Sequence, residues 1–90
     1  MSIRIPLAVV LSALLAATAA HAGPRCTKAP QSQWLDQKEF QAKLREQGYQ
    51  IDRFLISGPC YEIYGKDKDG RKVEIYFDPT DGRIVKQERR

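Results

Sequence analysis

Two short alternating runs joined by a glycine turn constrain this chain more than any other feature. "CYEIYG" (Cys60–Gly65) and "KVEIYF" (Lys72–Phe77) each place apolar side chains at every second position. A period of two is the signature of a strand with one buried face. "KDKDGRK" between them reads as a turn. If Asp67 pairs with Arg71 across Lys68–Gly70, Ile63 lies opposite Ile75 and Tyr61 opposite Phe77. Tyr61, Ile63, Val73, Ile75 and Phe77 then share one side. A slip of one residue would turn every one of them to solvent, so the apolar pattern itself specifies the register. The opposite face receives Cys60, Glu62 and Tyr64 from one strand and Lys72, Glu74 and Tyr76 from the other.

The flanking segments supply what this hairpin needs to be covered and extended. In "WLDQKEFQAKLREQGY", Asp36 can cap a helix, with Glu39 three residues on as in a capping box. Leu35 and Phe40 stand at the positions of a hydrophobic staple. Phe40 and Leu44 fall on one face at i, i+4, and Gly48 is placed to end the helix. A helix is expected over Gln37–Gln47. The period then drops to two in "YQIDRFLIS", a strand over Tyr49–Ser57. Its alternation breaks near Arg53, which calls for a bulge or a register change and leaves open whether Phe54 or Leu55 faces the core. "DPTDG" has Pro79 to fix φ and Gly82 to supply positive φ. It connects to a fourth strand, "RIVKQ", with Ile84 inward. The expected fold is α+β: one N-terminal helix packed on a three- to four-stranded antiparallel sheet, stapled by one disulfide.

The first residues read as an export signal. Arg4 precedes the apolar run Leu7–Ala17, and Ala20 and Ala22 form an A-x-A cleavage site. The run is too short for a membrane span, which needs about 20 residues. Residues 1–22 are therefore expected to be a cleaved signal peptide. Residues 23–34, with Pro24 and Pro30, form an extended lead-in, and 35–90 form the domain. The remaining chain is short, and a core of that size rarely supplies more than ~3–5 kcal/mol. A covalent staple is expected, and Cys26 and Cys60 are the only cysteines. They close a loop of about 35 residues, worth roughly 3.5–4 kcal/mol in the chain-entropy model. They lie too far apart in sequence to be a C-x-x-C redox pair.

Catalytic chemistry finds little purchase. The one histidine, His21, falls in the leader, so a Ser-His or Cys-His nucleophile is excluded after cleavage. Ordinary zinc and copper sites are excluded with it. "GKDKDGRKVEIY" puts Asp67, Asp69 and Gly70 near EF-hand positions but lacks the first Asp and the final bidentate Glu. No cofactor or metal is expected. Charges of both signs interleave, which argues against a nucleic-acid surface. Glu62 and Glu74 read as solvated strand charges beside Lys72. The helix-free face, with Glu62, Tyr64, Lys72, Glu74 and Tyr76, is the candidate protein-contact surface, because amphipathic aromatics favour interfaces.

A helix ending in "QGY" followed by "YEIYGKDKDG" and "VEIYFDPTDGRIV", with disulfide-spaced cysteines, resembles the PepSY domain. The resemblance covers Leu35 to Gln87 and is nearest to the small stand-alone exported members of Gram-negative bacteria. It implies a helix on an antiparallel sheet. It also implies a periplasmic, non-enzymatic module that binds and modulates a protein partner, a peptidase or another envelope enzyme. Membrane-associated members imply an alternative, an accessory subunit of an electron-transfer system. A thiol–disulfide redox role for Cys26 and Cys60 is a third possibility. No fixed set of functional residues carries over.

Overall fold

Asp36 starts the helix. Its carboxylate accepts a hydrogen bond from the Glu39 backbone N–H at 3.0 Å, which satisfies one of the free donors of the first turn. The computed structural model describes residues 23–90; the expected signal peptide lies outside the described residues. Helix α1 runs Gln37–Glu46 and buries Phe40 and Leu44, the two residues on its apolar face. Its end is a Schellman motif: Gly48 N–H donates to Arg45 C=O and Tyr49 N–H to Leu44 C=O. Gly48 holds φ 102°, a conformation that costs residues with a Cβ. The lead-in is not extended throughout, since Gln31–Gln33 close one 3₁₀ turn.

Four strands follow: β1 Gln50–Ser57, β2 Cys60–Lys66, β3 Lys72–Phe77 and β4 Ile84–Arg89. They form one antiparallel sheet in sequential order. The β2–β3 register is the expected one, with Tyr61 opposite Phe77 and Ile63 opposite Ile75. Asp67 N–H donates to Arg71 C=O across the turn, and Asp67 Oδ1 accepts from the N–H groups of Asp69 and Arg71. Phe40, Leu44, Tyr61, Ile63, Val73, Ile75 and Phe77 make the core between helix and sheet. Each large side chain buried this way contributes about 1.5–3 kcal/mol.

The irregularity in β1 is a bulge between Ile51 and Arg53. It puts Phe54 on the core side and Leu55 opposite Glu62 on the other face. Gly65 sits beside this bulge. A Cβ there would fall 1.8 Å from the Gln50 carbonyl oxygen, so the close approach of the two backbones requires glycine. A second shift, between Tyr76 and Phe77, lets Phe77 pair with Ile84. Ile84 thus lies on the helix side, but it is 43% exposed, because α1 does not reach the β4 edge. The fourth strand also runs two residues beyond the expected end at Gln87, since Val73 and Glu74 still offer partners to Arg89 and Glu88.

The "DPTDG" segment is structural, as expected, and does more than turn the chain. Asp78 is buried, and its carboxylate accepts from Thr80 N–H and Thr80 Oγ1. Pro79 C=O accepts from Leu35 N–H at 2.7 Å, which ties the loop to the residues before α1. Trp34 and Tyr61 complete that junction. Their rings meet edge-on at 5.4 Å, Trp34 Nε1 donates to Ala29 C=O, and the Tyr61 hydroxyl donates to Leu35 C=O. The lead-in is anchored by the Cys26–Cys60 disulfide, whose cysteines are both buried.

Candidate functional site

The helix-free face is organised in two rows that cross all four strands. One row sets Arg53, Tyr64, Glu74 and Glu88 side by side; the next sets Leu55, Glu62, Tyr76 and Lys86. Alternation along β2 and β3 puts these residues opposite the core. Tyr64 and Tyr76 are diagonal neighbours, each directly opposite a glutamate of the partner strand. Lys72 is exposed one step further along β3, opposite Lys66.

The two glutamates are not the solvated charges expected from the sequence. Glu62 is 3% exposed and Glu74 9%. Both stand on the inner strands, where long neighbours from the same rows cover them. The Tyr76 hydroxyl donates to Glu74 Oε2 at 3.3 Å, and Arg90 Nη2 donates to Glu74 Oε1. Arg53 and Arg90 place their guanidinium groups 5.3 and 5.7 Å from the centroid of the Tyr64 ring. Lys86 Nζ lies 6.0 Å from that of Tyr76. Such contacts are worth about 0.5–1 kcal/mol at exposed sites, and several together form a lid over the acids.

This arrangement separates the two carboxyl groups electrically. Burial, and then hydrogen bonding to Glu74, raise the pKa of Glu62 above its ordinary value. Glu74 is drawn down to about 2, first by the hydrogen bond from Glu62 and then by Arg90, against its own burial. Glu62 therefore keeps its proton to higher pH than Glu74, and while it does the pair carries one negative charge. The Glu62 Oε2 atom is buried without a hydrogen-bond partner. Tyr76 is pushed up to about 12 by burial and by the two acids. Tyr64 is raised mainly through its hydrogen bond to Glu74.

Paired carboxyl groups with divergent pKa values also occur at acid–base centres. Here the pair is covered by Tyr64, Tyr76 and Arg90. A depression lined by Tyr64 lies beyond the pair, along the edge formed by Asp52, Gly65, Lys72, Val73 and Arg90. Among the described residues, no group of three or more His, Cys, Asp or Glu side chains gathers as metal ligands would. No described helix is long and apolar enough to cross a membrane.

The structure thus brings Glu62, Tyr64, Glu74 and Tyr76 into one cluster, with Glu62 and Glu74 beneath and the two rings half-exposed above. Two members were not legible in the sequence. Arg53 was hidden by the bulge, which shifts its face. Arg90 reads as part of a basic tail, and it joins the cluster only because its N–H donates to Lys72 C=O and continues the β3–β4 ladder.

A family model described as peptidase propeptide and YPEB domain, PepSY_2, matches residues 6–88. No curated protein and no solved structure matches the chain.

Proposed function

The chain belongs to the PepSY family of peptidase-propeptide and YPEB domains, and from that premise we propose that it is an exported, non-enzymatic module that binds and modulates a separate protein, a peptidase of the cell envelope. The observation that carries this reading is the construction of the open face. Two tyrosines are held in fixed positions on the inner strands by buried acids and flanking arginines. Rigid aromatics with a polar tip lose little entropy on binding and are frequent interface anchors. Glu62 and Glu74 act beneath them as supports, and Lys72 extends the surface at its rim. The disulfide agrees with an oxidising compartment such as the periplasm, and the expected signal peptide would deliver the chain there.

The test uses the oxidised protein purified after export of the full chain. It is immobilised and exposed to periplasmic extract beside a Tyr64→Ala/Tyr76→Ala double variant. The expected outcome is retention of a peptidase whose hydrolysis rate changes on addition of the wild-type protein but not of the variant. Retention that is equal for the two proteins, or a retained peptidase whose rate is unaffected, overturns the proposal.

A further inference from the structure

The open face carries a second feature, at the end of the sheet next to the tyrosine cluster. Lys66 and Lys72 are direct cross-strand partners at one end of β2 and β3. Like charges in that position destabilise a sheet, and neither lysine makes an ion pair with any described residue. Arg53 also has no acidic partner among the described residues and lies over Tyr64. Arg90 completes the group, with one side of its guanidinium committed to Glu74. Most of the acids that could balance the two lysines and Arg53 are committed to other groups. Glu74 is buried on Arg90, Glu88 pairs with Lys86, and Asp67 holds the β2–β3 turn and Arg89. Asp52 alone lines the same hollow, a depression of about 190 Å³ bounded by Tyr64, Lys72 and Arg90.

We infer that this corner of the sheet is a subsite for an acidic peptide segment of the partner, with Lys66, Lys72, Arg53 and Arg90 taking its carboxylates beside the Tyr64 ring. The inference rests on the proposed binding role of the open face and adds the chemistry of what is bound. Charge complementarity selects the occupant. The cations are exposed or half-exposed and on one face, and Lys66, Lys72 and Arg53 have no ion-pair partner among the described residues, which steers an anionic segment and fixes its register. A carboxylate can be held by Lys66 and Lys72 together, and this would relieve their mutual repulsion. A lipid surface fits less well, because binding in the headgroup region uses apolar side chains beside the basic ones. The exposed large apolar residues, Leu35, Ile56, Ile84 and Val85, lie outside this corner.

The test titrates the ¹⁵N-labelled, oxidised protein with a blocked hexaglutamate peptide, and separately with phosphatidylserine-containing vesicles, at low and at physiological salt. A Lys66→Gln/Lys72→Gln variant and a charge-matched Lys38→Gln/Lys43→Gln variant on the helix run in parallel. The expected result is salt-sensitive binding of the peptide with amide shifts at Arg53, Tyr64–Lys66, Lys72 and Arg90. It should weaken roughly fivefold in the first variant, as the loss of two exposed ion pairs implies, and stay unchanged in the second. Absent peptide binding, equal weakening in the two variants, shifts centred on another face, or vesicle binding that outcompetes the peptide would each overturn the inference. The partner-retention experiment separates the two proposals. A peptidase retained by Lys66→Gln/Lys72→Gln but lost by Tyr64→Ala/Tyr76→Ala leaves the binding role standing and removes the acidic-segment subsite.

Discussion

Replacing Glu62 by glutamine should stabilise this protein at neutral and alkaline pH and do almost nothing in mild acid. Glu62 is buried on the sheet, faces Tyr76 and Leu55 across the strands, and has a partnerless oxygen beside the charge of Glu74. Its folded-state pKa is raised from 4.5. A raised acid favours the folded state in its protonated form. That contribution is complete below the unfolded value and disappears as pH climbs through the raised folded value. Above that point the native state must hold a buried carboxylate against a second one. Glutamine keeps the shape, never ionises, and offers an N–H to Glu74. Leaving a buried group unsatisfied costs about 1–3 kcal/mol, and the roof of half-exposed side chains moderates this. A gain of about 1–2 kcal/mol at pH 8 is therefore expected, with a difference near zero at pH 4. For a domain of this size each kcal/mol moves Tm by roughly 4–8 °C. Urea unfolding of the oxidised protein, followed by far-UV circular dichroism at pH 4, 6 and 8, reads the difference directly. A loss of stability at pH 8, or the same offset at all three pH values, would refute the reasoning.

Other outcomes follow from the same structure. Glu74 works with the opposite sign: held down to about 2, it contributes fully above its unfolded pKa and loses that contribution as pH falls toward 2, so the wild-type stability profile should peak in the mildly acid range. Tyr76, pushed up to about 12, should ionise last among the tyrosines in an absorbance titration at alkaline pH, and a Tyr76→Phe variant should lack that final phase. Gly65→Ala must move the start of β1 away from the Gln50 carbonyl and should cost about 1–3 kcal/mol, as overpacking does, measured by chemical denaturation. Removing the staple with Cys26→Ala/Cys60→Ala should cost roughly 3.5–4 kcal/mol. In the intact protein the buried Cys60, 0% exposed, should exchange with added thiol only at the rate of opening, which a thiol-quench time course would show.

The alternation in Cys60–Gly65 and Lys72–Phe77 was sufficient to specify the central hairpin, its register and most of the core. Only one pairing buries all five apolar side chains, and the side-chain period leaves no compromise between faces. The helix was equally legible, because Asp36, Phe40, Leu44 and Gly48 each have a local cause. Family membership was readable in the same turns and strands. Tertiary structure decided what local pattern does not encode. A glutamate in a two-sided strand looks solvated in sequence, but Glu62 and Glu74 are buried because neighbours from other strands close over them. Ile84 has the pattern of an inward residue, but it stays exposed because a single helix is too narrow to cover the β4 edge. Arg53 and Arg90 reach Tyr64 only once a bulge and an extended ladder have set their positions. Local periodicity reports which side of an element is apolar, whereas the burial of a charged group depends on residues distant in sequence that the fold brings over it.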